Sequence, residues 1–199
     1  MSSDRDQPAR GWVVGARIAT PLAALLLVGF LVMGVSRAAF FDTTSNDSNS
    51  FAAGTVVLVD DDTGSAMFNA SGMTPGDSAT ECITVTYNGS ITPSDVVLYV
   101  TAGDLTGTGL DDYLNLTIDR GTGGSFGDCT GFSSTASVYS GTLDGFAGTS
   151  TDFASGAGSW TATSTGDAFT YQFTVTLQDD NAAQGLDASV NFTWEAQNQ

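Results

Sequence analysis

Beyond a polar stretch that ends near Gly54, apolar side chains recur at every second position rather than at the 3.6-residue spacing of a helix. Ile83, Val85 and Tyr87 of ECITVTY fall on one face, as do Leu114, Leu116 and Ile118 of YLNLTID. The two clearest runs come last. FTYQFTVTL aligns Phe169, Tyr171, Phe173, Val175 and Leu177, and ASVNFTWEA aligns Val190, Phe192 and Trp194. Such alternation builds strands with one face toward a core. Further short strands are expected at Thr55–Val59, Ala66–Phe68 and DVVLYV, with a weaker one around Val138 and Tyr139. Turns are expected at DDDTG, Pro75-Gly76 and Asn88-Gly89. No stretch after residue 38 has a helical period. About eight short strands separated by turns predict an all-β fold, an antiparallel β-sandwich.

The N-terminal part breaks this pattern with an uncharged apolar run from Ile18 to Ser36, preceded by Arg5, Arg10 and Arg17. About 18 apolar residues suffice to span a bilayer. The end of the run carries a different signal. Ser36 and Ala38 flank Arg37 in the small-x-small arrangement that a signal peptidase accepts, with cleavage between Ala38 and Ala39. Pro21, Gly29 and Gly34 also weaken the run as a permanent helix. Residues 1–38 are therefore read as a signal peptide, whose uncleaved form would be the one tie to a membrane. Residues 39–54 form an N-terminal arm and residues 55–199 a single β-sandwich domain.

Composition after residue 38 removes whole classes of function. The remaining 161 residues hold one cation, Arg120, against 18 Asp and two Glu, a formal charge of −19. Nucleic acid and anionic lipid surfaces are repelled, since binding to either begins with Lys and Arg neutralising phosphates. The chain has no His and no Lys beyond this point or before it. That excludes a Ser-His-Asp or Cys-His nucleophile, an HExxH zinc helix, a Ser-Lys dyad and a P-loop. GTGGSFGDCTG, which lacks the GK[ST] ending, is accordingly read as a flexible loop. A glycosidase needs only two carboxylates across a cleft, but 20 acids scattered over turns read first as solvated surface. Asp60-Asp61-Asp62, Asp111-Asp112 and Asp179-Asp180 suit a hard cation such as Ca²⁺. DDDTG completes no EF-type loop, so no cofactor is assigned and Ca²⁺ stays the weaker alternative. Cys82 and Cys129, an even pair in an exported chain, are expected to form a disulfide, with no His to activate either thiol. Five N-x-[ST] sequons begin at Asn46, Asn69, Asn88, Asn115 and Asn191, as Ser/Thr-rich composition alone would give.

Three segments in order carry a family resemblance: AAFFDTTSNDSNSFAAGTVVLVD, GMTPGDSATECITVTYNGS and VTLQDDNAAQGLDASVNFTWEAQNQ. With the apolar segment ahead of them they resemble the TasA/camelysin family of secreted surface and biofilm-matrix proteins over nearly the whole chain. The resemblance implies a jelly-roll-like β-sandwich and cleavage before Ala39 by a signal peptidase dedicated to the family. It also implies a secreted protein of the extracellular matrix or cell surface. Some relatives assemble into fibres in which the freed arm of one subunit adds as a strand to the next. On that reading the chain's partner is itself, and Ala39, Phe40, Phe41 and Phe51 make the polymer contact. The alternative is an arm folded back along its own sheet edge in a monomeric surface protein. The family also carries a peptidase label, from casein-degrading activity, whose zinc ligands this His-free chain does not show.

Overall fold

The computed structural model describes residues 41–44, 55–68 and 72–199, all within the second of the two units into which the chain divides, Phe40–Gln199. The signal segment, the expected cleavage at Ala38-Ala39, and Phe40 and Phe51 lie outside the described residues. Two antiparallel sheets face each other. One has the order β1 (Phe41–Thr44), β11 (Thr193–Asn198), β4 (Ser94–Tyr99), β8 (Ala157–Ala162). The other runs β2 (Leu58–Asp60), β3 (Ser78–Tyr87), β9 (Ala168–Leu177), β6 (Leu114–Thr122), β7 (Ser133–Thr142). A ribbon of β5 (Leu105–Gly107) and β10 (Ala188–Val190) closes one end. The protein is thus an all-β, antiparallel sandwich. Among the described residues no helix is long and apolar enough to cross a membrane.

The alternating runs supply the core. Ile83, Val85 and Tyr87 of β3, Leu116 and Ile118 of β6, and Tyr171 and Phe173 of β9 are buried from one sheet, and Val96, Leu98, Trp194 and Ala196 from the other. Aromatic rings join the layers. Trp194 meets Tyr171 edge-on with centroids 5.5 Å apart, and Trp160 meets Phe169 at 5.1 Å while its Nε1 donates to Tyr171 Oη at 3.0 Å. Arg120 of β6 also crosses the gap. Its Nη1 donates to the carbonyls of Gly158 and Ser159 on β8 at 2.5 and 2.9 Å, and its guanidinium lies 4.8 Å from the Phe169 centroid. At the β3–β4 turn, Tyr87 Oη donates to the Ile91 carbonyl, and Ser94 Oγ donates to the same oxygen at 2.8 Å.

Several elements differ from the sequence expectation. Ala66–Phe68 is an irregular segment rather than a strand. The run ASVNFTWEA is not one strand: it breaks at Asn191-Phe192 into β10 and β11, which belong to different sheets. The short α1 (Leu143–Thr149) follows β7, with Thr142 Oγ1 accepting from Gly145 N at 3.1 Å as its N-cap. Leu143 and Phe146, three apart, bury one face. β8 is a strand that the sequence alternation does not mark, and its Gly158 holds φ at +63° where a Cβ would meet the Val138 side chain.

Candidate functional site

Strand β1 lies along the outer edge of β11, with Phe41 opposite Gln197 and Thr44 opposite Trp194. Of the expected polymer-contact residues, Phe41 opens this strand, while Ala39, Phe40 and Phe51 fall outside the described residues. Over these four residues the arm therefore folds back on its own sheet in the single chain. The strand that receives it is firmly held. On its other side β11 pairs with β4 from Thr193↔Tyr99 to Asn198↔Ser94. Glu195 is only 6% exposed, and its carboxylate accepts from Tyr99 Oη at 2.7 Å and from Gln197 Nε2 at 2.8 Å. Burial, and then this carboxylate, push the Tyr99 hydroxyl well above its ordinary range, so it stays protonated as the donor. With β1 withdrawn, β11 would be an edge strand held in place by β4, a template for main-chain pairing with a strand of fitting sequence.

The two cysteines are joined, with an S–S distance of 2.17 Å and Cα atoms 5.3 Å apart. Cys82 alternates with Ile83 on β3 and so faces away from the core, yet it is 0% exposed. What covers it is the loop that follows β6, reaching across β9 to β3. Gly127 N donates to the Cys82 carbonyl at 3.1 Å, and Phe126 N to Asp61 Oδ2 at 2.8 Å. Asp61 Oδ1 accepts from Thr84 N at 2.8 Å. The glycine-rich segment expected as a flexible loop is pinned by one covalent bond and a bridging carboxylate. Its glycines permit the tight return, Gly123, Gly124 and Gly127 all having positive φ.

Each acidic cluster has a distinct environment. Asp61 is structural, as above. Asp60 is half-buried, and burial, followed by the hydrogen bond and negative charge of Asp62, pushes its carboxyl up to about 6. The opposite holds at exposed turns, where Thr74 N and Oγ1 hold Asp77 below the usual carboxylate range, and Thr163 does the same for Asp167. Asp111 and Asp112 meet a third carboxylate, Asp144 at the start of α1, with oxygens within 4.8 Å of one another. This all-oxygen set has the chemistry of a hard-cation ligand group, not of a zinc site. Sequence reading missed Asp144 because its contact with the pair comes from packing α1 against the Leu110–Tyr113 turn.

Asp60 gives a pH prediction whose sign is fixed by its raised value. Between about pH 4 and pH 6 the folded domain holds a proton that the unfolded chain has released, so this group makes stability rise as pH falls through about 6. Asp60→Asn is expected to stabilise the domain at neutral pH by about 1 kcal/mol, discounted for partial exposure, and to have no effect near pH 4. Urea denaturation of both proteins at the two pH values checks it, and equal midpoints at neutral pH would refute it.

Residues 13–112 match the family model described as camelysin metallo-endopeptidase. No curated protein matches the chain.

Proposed function

The chain belongs to the camelysin family, and from that premise we propose that it is the structural subunit of an extracellular or cell-surface fibre of the biofilm-matrix type. In this reading the processed arm of one copy adds as a strand to the next. Family membership and the disulfide support a surface or secreted protein. The observation that carries the finer reading is the β1–β11 ladder. Four residues of the arm are able to pair with the edge of β11, and an identical arm from a neighbour would make the same ladder. Exchange between the two costs little in contacts, so concentration decides between them, weighed against the effective concentration set by the tether. Each copy offers one arm and one receiving edge, and a head-to-tail exchange of that kind leaves both ends open for growth.

The family description names a metallo-endopeptidase. Zinc in such enzymes is held by His and carboxylate ligands, or elsewhere by thiolates. This chain has no His, both cysteines are in the disulfide, and the grouped carboxylates among the described residues are the oxygen set at Asp111, Asp112 and Asp144. These residues do not fit zinc, and no hydrolytic step is derived from them. The reading set against the fibre is a monomeric surface protein with peptidase activity.

Electron microscopy of the protein processed at Ala39 tests the choice. Filaments with a regular subunit repeat are expected, and more of them at higher salt, because subunits of charge −19 repel one another over a range that salt shortens to about 10 Å at 0.1 M. Monomers at every salt and protein concentration, or chelator-sensitive cleavage of casein by a preparation free of other proteases, would overturn the fibre reading.

A further inference from the structure

A cleft of about 690 Å³ opens between the turn that follows β2 and the β10–β11 segment. Its lining includes Met67, Phe68, Met73, Val190, Phe192 and Trp194, an apolar wall of the size that small ligands or a few side chains fill. Three carboxylates, Asp60, Asp62 and Asp104, line the same cleft. No cation answers them among the described residues. The single basic side chain there, Arg120, is committed to the carbonyls of Gly158 and Ser159 and to the face of Phe169.

We propose that this cleft binds a segment of a partner polypeptide that carries Lys or Arg beside aromatic or branched apolar side chains. The apolar wall takes the latter. Carboxylates of one sign against a low-dielectric surface focus their potential on a cation, which at once relieves the cost of holding Asp60 and Asp62 charged side by side. A second copy of this chain is poorly suited to the role, since its domain contains no Lys and its one Arg is built into β6. Anionic partners are repelled by the same carboxylates. The inference goes beyond the fibre reading and does not depend on it.

Calorimetry of the protein processed at Ala39, at low salt, tests it with two peptides, acetyl-Phe-Lys-Leu-Phe-amide and its analogue with Gln in place of Lys. The Lys peptide is expected to bind about tenfold more tightly. Replacing Asp60 and Asp62 by Asn, or Asp104 alone by Asn, should shrink that preference while the weak apolar binding of the Gln peptide survives. Asp119→Asn with Asp179→Asn, the same change in net charge away from the cleft, should leave the preference intact. Equal affinity for the two peptides, no binding by either at millimolar concentration, or an equal loss in the control pair would overturn the proposal. A free-amine Ala-Phe-Phe-amide that bound more tightly than the Lys peptide would also overturn it, by assigning the cleft to the processed terminus of a second copy.

Discussion

Deleting residues 39–50 is expected to leave a folded, soluble monomer that forms no fibres. The deletion removes β1, but β11 keeps its six-residue pairing with β4 and the buried cluster from Val56 to Ala196 keeps its members. What is lost is the occupant of one sheet edge. The edge then lies open to a strand from any neighbour, yet no copy retains an arm to donate, and the high negative charge opposes irregular edge pairing. Replacing only Phe40 and Phe41 by Ser should weaken assembly without abolishing it. Main-chain bonds would persist, while each ring that would have seated in the next subunit would forfeit about 1.5 to 3 kcal/mol of apolar burial there. An uncleaved leader should block assembly as the deletion does, and excess synthetic arm peptide should cap growing ends. Light scattering and electron microscopy read all four cases. Normal fibres from the deletion variant would place the polymer contact elsewhere. An unfolded variant would make β1 an indispensable strand of its own domain and favour the monomeric reading.

Breaking the disulfide is expected to cost about 4 kcal/mol by chain entropy, because the cross-link closes a loop of 47 residues. In a domain of this size that lowers the melting temperature by about 10 °C. Structure adds a reason for the full effect. Cys82 is wholly buried beneath the loop that carries Cys129, and that loop also supplies the donor from Phe126 to Asp61. With the tether gone, the outer surface of β3 is uncovered and a carboxylate oxygen loses its partner together with the bond. The Cys82→Ala/Cys129→Ala variant and the reduced native protein should melt at the same lowered temperature, and reductant should leave the variant unchanged. A native protein whose melt is insensitive to reductant, or whose unreduced mass shows two free thiols, would refute this.

The strands legible in the sequence were those with apolar residues on one face and polar residues on the other. ECITVTY, YLNLTID and FTYQFTVTL became β3, β6 and β9, the inner strands of the larger sheet, where one face must be buried. Edge strands carry less of that signal. β7 reads SSTASVYSGT and has no fully buried residue, so only Val138 and Tyr139 marked it, although it runs for ten residues. The candidate assembly edge was half legible. The aromatic pair and polar spacer pointed to an arm that pairs with a sheet edge, its own or a neighbour's, but which strand receives it follows from the order β1-β11-β4, a long-range pairing with no local trace. Glu195 shows the same limit. In F-T-W-E-A-Q it reads as an outward, solvated acid, yet it is buried, paired with Val97 on β4, and Tyr99, two residues further along that strand and almost a hundred residues earlier in sequence, supplies the donor.

Arg120 has a consequence outside folding. It is the single Lys or Arg between Phe40 and Gln199, and it sits in a strand paired on both sides, by β9 and by β7. A protease that cuts after basic residues needs its target in extended, unpaired form, and here the one target becomes available only when the five-stranded sheet comes apart. Digestion by such an enzyme therefore measures the population of globally opened molecules rather than local fraying. A surface layer or fibre built from these domains would shed nothing to trypsin-like enzymes in its surroundings while its subunits remain folded.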